Sequence, residues 1–107
     1  MGKKIEVGDV LVHSNVIPRM NCIDLAQMIE RHKNGDWGDI SQAEKSNNDA
    51  AVKNNGRIVS AFCYSGELFM IITEADRRLT LVISPDDYAR TYASVLNLKR
   101  SQTKDLS

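Results

Sequence analysis

The sequence carries no excess of charge of either sign. Fourteen lysines and arginines balance fourteen aspartates and glutamates, so no global field draws in a phosphate backbone and no acidic surplus lets the whole chain imitate DNA. Three cations near the end, Lys99, Arg100 and Lys104, read as a solvated tail. Long apolar runs are missing too: nothing approaches the roughly 18 residues of a membrane span, and Met1-Gly2-Lys3-Lys4-Ile5-Glu6 has no apolar h-region. A cytoplasmic protein with no membrane partner is expected.

Cysteine is scarce. Cys22 and Cys63 are distant from each other, and in a reducing compartment both are expected as thiols. With His13 and His32 they are the only soft metal ligands, and no pair has the close spacing of a zinc site. No metal and no cofactor is therefore expected. His32 reads as a partly buried helix-face residue and Cys63 as a small sheet-core hydrophobe. Also lacking are a G-x-S-x-G elbow, a Walker loop, an H-E-x-x-H pair and a Rossmann glycine pattern, which removes the usual sequence support for acyl, phosphoryl and hydride chemistry.

What is present suffices for one folded domain. The chain has 107 residues, 42% apolar and 26% charged, far from the composition of disordered chains. We expect a single α+β domain over 1–100 and an unstructured tail over 101–107.

Val7 to His13 has the character of a short edge strand weakened by Gly8 and Asp9. Asn21 and Asp24 open a helix whose apolar stripe runs through Leu25, Met28, Ile29 and His32 and stops at Asn34-Gly35. Ser41 and Glu44 form a capping box for a second helix over 42–54, ended by Asn55-Gly56, with only Ala43, Ala50, Ala51 and Val52 to pack. From Arg57 to Ile83 three apolar segments separated by Ser65-Gly66 and Ala75-Asp76-Arg77-Arg78 predict a three-stranded antiparallel meander. Ser84-Pro85-Asp86-Asp87 then starts a third helix with a Tyr88, Tyr92, Val95, Leu96 stripe.

Two clusters could carry function. Asp36-Trp37-Gly38-Asp39 sets two carboxylates around the lone tryptophan. It reads either as a binding loop or as a connection in which Trp37 plugs the core and the aspartates cap amides. Glu74, Asp76 and Arg77, with Arg57 in reach, could orient a ligand or hold a turn through charged hydrogen bonds. The candidate binding residues are thus Asp36, Trp37, Asp39, Arg57, Glu74, Asp76 and Arg77, with no catalytic set assigned.

Taken in order, the R-H-x-x-G-D-W-G-D stretch (Arg31 to Asp39), Asn48, Gly56-Arg57-Ile58-Val59-Ser60-Ala61-Phe62, Ile72-Thr73-Glu74-Ala75-Asp76-Arg77 and Pro85-Asp86-Asp87-Tyr88 form one pattern. It resembles a family of small "plasmid-related" proteins carried on plasmids, integrative elements and phages, over roughly Leu25 to Tyr88. The chain departs from the commoner pattern at Asn55, where a second glycine is usual, and at Glu44, where aspartate is frequent. The resemblance implies genetic context and carries over no activity.

With that context, small size, balanced charge and missing catalytic motifs, the leading expectation is a non-enzymatic protein-binding factor of a mobile element. Its expected partner is a host defence complex of the CRISPR or restriction kind. The alternatives are a small enzyme using Asp36, Asp39, Glu74 and Asp76 as acid, base or Mg²⁺ ligands on nucleotide or nucleic acid, or a DNA-associated maintenance protein.

Overall fold

A computed structural model describes residues 4–91 of the chain. The elements run β1 (Asp9–Val12), a 3-10 turn (Ile17–Arg19), α1 (Cys22–Lys33), α2 (Gln42–Asn54), β2 (Ile58–Tyr64), β3 (Glu67–Thr73) and β4 (Leu79–Ile83). A further helix, α3, is formed over 85–91. The expected contributions of Tyr92, Val95 and Leu96, the cations Lys99, Arg100 and Lys104, and the 101–107 tail lie outside the described residues.

Local chemistry sets the helix ends. The Asn21 side chain accepts the Asp24 N–H at 2.8 Å at the start of α1. At α2, Ser41 Oγ accepts the Glu44 N–H and Glu44 Oε1 accepts the Ser41 N–H, each at 3.1 Å, so two orphan amides are satisfied reciprocally. Asn55 closes α2 in the left-handed region at φ 56°, a conformation asparagine tolerates.

The fold is α+β, and its sheet is larger and more mixed than the expected meander. β2, β3 and β4 pair antiparallel, but β1 adds to β4 in parallel, giving the order β1-β4-β3-β2. The two helices between β1 and β2 free β1 from the antiparallel constraint of a short turn. The strand is also shorter than the predicted 7–13 span. Gly8, at φ +61°, turns the chain against β4's leading turn so closely that a Cβ would stand 2.3 Å from the Arg78 carbonyl oxygen.

One sheet face takes α1. Met28 of α1, fully buried, packs with Val16, Phe62, Phe69, Ile71 and Val82, side chains of the kind that each contribute about 1.5–3 kcal/mol when taken from water. A second cluster joins Ile5, Trp37 and Ile58, with Ala51 and Val52 of α2 against it. The one residue α2 fully buries is polar, Asn48, and it adds to the expected contacts of the small residues, of which Ala51 and Val52 reach the second cluster. Cys63 is also corrected: strand alternation turns it away from Phe62 and α1, and it is exposed, as is Cys22, both as free thiols. No helix among the described residues is long and apolar enough to cross a membrane.

Candidate functional site

The Asp36–Asp39 loop is built against the outer edge of β2. Gly38 makes a parallel bridge to Ala61: the Ala61 N–H donates to the Trp37 carbonyl at 3.2 Å and the Asp39 N–H donates to the Ala61 carbonyl at 2.7 Å. Asp39 Oδ2 then accepts the Cys63 N–H at 3.0 Å. Two residues back along β2, the Asn48 carboxamide takes the Val59 N–H at 3.2 Å and donates to the Val59 carbonyl at 2.7 Å. Loop and helix together thus satisfy the groups that an edge strand would otherwise present for pairing.

The remaining members of the loop are also spoken for. Trp37 is 5% exposed, meets the His32 ring edge-on at 5.9 Å, and donates through Nε1 to Asp49 Oδ1 at 3.0 Å. Asp36 accepts the Arg31 Nε–H at 2.7 Å and the Gly38 N–H at 3.1 Å. The Arg31 hydrogen bond, opposed by partial burial and helped by the Gly38 amide, holds the Asp36 carboxyl below its ordinary range. Arg31 in turn lies over the Phe62 ring at 4.5 Å.

The second cluster holds the far end of α2. Arg77, itself at φ 62°, aims its guanidinium at carbonyls: Nη1 donates to Gly56 at 2.6 Å and Glu74 at 3.1 Å, and Nη2 donates to Ala51 at 3.0 Å. A planar fork on the last carbonyls of a helix answers both their hydrogen-bond need and the helix dipole. Asp76 accepts the Arg78 N–H at 3.0 Å within its own turn. Glu74 pairs with Arg57 at 3.4 Å, and Arg57 Nη2 donates to the Tyr88 hydroxyl at 2.8 Å, tying α3 to the start of β2.

The four candidate carboxylates therefore do not converge. Asp39 sits by Cys63 and Glu74 by Arg57, positions separated by about 20 Å of extended strand. Among the described residues no three of His, Cys, Asp and Glu come together in a way that could hold a metal ion.

His32, read from sequence as partly buried, is wholly buried and heads a polar chain. Its Nδ1 meets Ser60 Oγ at 2.5 Å, its Nε2 meets Thr73 Oγ1 at 2.8 Å, Thr73 meets Thr80 Oγ1 at 2.7 Å, and Thr80 donates to the Val7 carbonyl at 2.7 Å. The carbonyl fixes the protons as far as His32 Nε2, since each hydroxyl has one. Thr80 gives its proton to Val7, so Thr73 donates to Thr80 and His32 donates from Nε2. Burial, reinforced by the Arg77 charge, lowers the ring's pKa to about 4, so near pH 7 it is neutral and Nδ1 accepts from Ser60 Oγ. The available signal was the placing of Ser60, Thr73 and Thr80 at positions that alternate onto one sheet face. Asp87, expected only as part of the helix start, also accepts from Ser84 Oγ at 3.0 Å and Asn15 Nδ2 at 3.2 Å, fastening α3 to the turn after β1.

What stays open joins an apolar floor to a polar rim. On the sheet face away from α1, two adjoining hollows of about 220 and 300 Å³ share Glu44 and Val59. Their floor is Val59, Ala61, Leu68 and Met70, with Ser41, Glu44 and Asn47 of the α2 region on one side and Pro85 and Arg57 elsewhere on the rim. Leu68 there is 42% exposed. No family model, curated protein or solved structure matches the chain.

Proposed function

We propose that the chain is a non-enzymatic protein-binding factor of a mobile genetic element that inhibits a host defence nuclease, a CRISPR or restriction complex. The observation that carries the binding part is the contrast between the two kinds of side chain. The distinctive carboxylates and cations are occupied with main-chain groups or each other, whereas the groove over Val59, Ala61, Leu68 and Met70 is open. A reaction needs a convergent set of acids and bases; a contact surface needs an apolar floor with a polar rim.

The groove suits an apolar segment flanked by a cation, because Asp39 and Glu44 line the rim beside Leu68 and Ala61. The mobile-element context rests on the resemblance in the Arg31 to Asp39 and Ile72 to Arg77 stretches. The nuclease target follows from that context.

The test is capture from lysate of a defended host, with plasmid transfer measured in defended and undefended hosts. The expected result is a stoichiometric nuclease-complex partner, transfer raised only in the defended host, and loss of both with Leu68→Asp at unchanged folding. Equal benefit in the two hosts defeats the inhibitory role, and capture that survives Leu68→Asp defeats the groove as its surface.

A further inference from the structure

The two edges of the sheet are finished differently. On β2, both outward groups of Val59 and Ala61 and the N–H of Cys63 are bound by Asn48, Trp37 and Asp39. On β1, the Asp9 N–H donates to the Arg78 carbonyl at 3.0 Å and the His13 N–H to the Val82 carbonyl at 2.9 Å. Odd positions thus face β4, and alternation turns the N–H and C=O of Val10 and Val12 outward. Among the described residues no backbone group pairs with them. Between them Leu11 is 54% exposed, and Leu79 at the start of β4 is 36% exposed on the same face.

We infer that β1 pairs antiparallel with β1 of a second copy, across a two-fold axis at Leu11, to join two sheets into one. The strand is complementary to itself. With Leu11 opposite Leu11, Val10 of each copy faces Val12 of the other, and both are outward-turned residues, so the two pairs exchange four N–H···O=C bonds. The leucines form the non-hydrogen-bonded pair, where side chains come closest.

Charge fits the same register. Asp9 lies opposite His13 of the other copy, and Asp9 forms no ion pair among the described residues. His13 Nδ1 accepts the Asn15 N–H at 3.1 Å, which places the ring proton of the neutral form on Nε2, available to the facing carboxylate. A shift of two residues either way sets Leu11 against Asp9 or His13 and loses the match. The pairing is isologous and closes after two copies. Four residues of edge form a small contact beside the ~1,200 Å² of a stable interface, so the dimer is a weak, concentration-dependent one.

The pairing is tested in the full chain with Cys22→Ser and Cys63→Ser. In a non-hydrogen-bonded pair the Cα atoms stand about 4.5 Å apart, within disulfide range. Leu11→Cys is therefore expected to cross-link in a glutathione buffer at about 200 μM at least about tenfold faster than Leu68→Cys, an exposed control on the same face but on the interior strand β3. In the unaltered chain, sedimentation is expected to show a monomer–dimer equilibrium that Leu11→Arg weakens at least about tenfold, and hydrogen exchange of the Val10 and Val12 amides is expected to slow with concentration. Cross-linking at Leu11 no faster than at Leu68, or a monomer throughout with Val10 and Val12 exchange independent of concentration, overturns the inference. The outcome is separate from the groove reading, which concerns Leu68 and the opposite edge.

Discussion

His32 Nε2 donates to Thr73 Oγ1 at 2.8 Å inside a core that holds both residues fully from solvent, and burial of this ring makes fold stability depend on pH. The folded imidazole has a pKa of about 4, against an ordinary 6.5 in the unfolded chain. As pH falls the unfolded state binds the proton first, so the contribution is full above pH 6.5, is lost through the window down to about 4, and is flat below it. The loss is ~3 kcal/mol, read as a drop in the urea midpoint between pH 7.5 and pH 4. Thr73→Val keeps the shape but strands the Nε2–H, and should cost ~1–3 kcal/mol at pH 7.5.

Gly38 is the tightest backbone approach in the candidate loop. At φ +74°, a Cβ there would stand 2.1 Å from the Ala61 carbonyl oxygen and 2.6 Å from the Phe62 ring. Gly66 has a similar φ of +77° but open space around it. Gly38→Ala is therefore expected to destabilise by at least ~2 kcal/mol and Gly66→Ala by only ~1 kcal/mol, the left-handed cost alone. Paired thermal melts compare the two directly, and equal losses would mean that the bridge to β2 is not a constraint.

The contrast between these glycines marks what was legible in the sequence. Elements with chemistry at their own ends could be read: the Ser41–Glu44 box and Asn55 delimit α2, and Ser65-Gly66 delimits the hairpin. Parallel pairing of β1 could not be read, because no local residue encodes which edge a strand joins. The same holds for the candidate site. That the aspartates cap amides is one of the two readings of the loop, but which amide Asp39 takes, and that Asn48 serves Val59, depend on the register that sets them beside Cys63 and Val59. Burial of His32 likewise depends on three hydroxyls from three strands arriving together. Of the two readings of Trp37, the plug agrees with its burial.

Arg77 and Arg57 differ in consequence although both lie in the same sequence cluster. Arg77 serves the carbonyls of Ala51, Gly56 and Glu74 at once, while the Arg57–Glu74 pair is a single contact with both side chains nearly half exposed. Arg77→Ala should cost ~1–3 kcal/mol, and Arg77→Lys should recover little, since one ammonium cannot span the fork. Arg77→Gly, which relaxes the φ of 62°, should still be destabilised. Breaking the ion pair with Glu74→Gln should move stability by no more than ~1 kcal/mol. Chemical denaturation of the four variants ranks them.

Asn48 does two jobs that only a carboxamide can combine, accepting from the Val59 N–H and donating to the Val59 carbonyl. Asn48→Asp keeps the acceptor but sets a buried carboxylate against a carbonyl oxygen, and Asn48→Leu keeps bulk but satisfies neither group. Each should lose ~1–3 kcal/mol, and each should also open the β2 edge to other strands. Stability loss alone would be shared by any core lesion. The distinguishing readout is amide exchange: Val59 should exchange faster in both variants, with Ile58 and Ser60, which face β3, changing only as global stability changes. If Val59 stays protected in Asn48→Leu, the helix shields the edge by covering it, and the carboxamide is not what closes the sheet on that side.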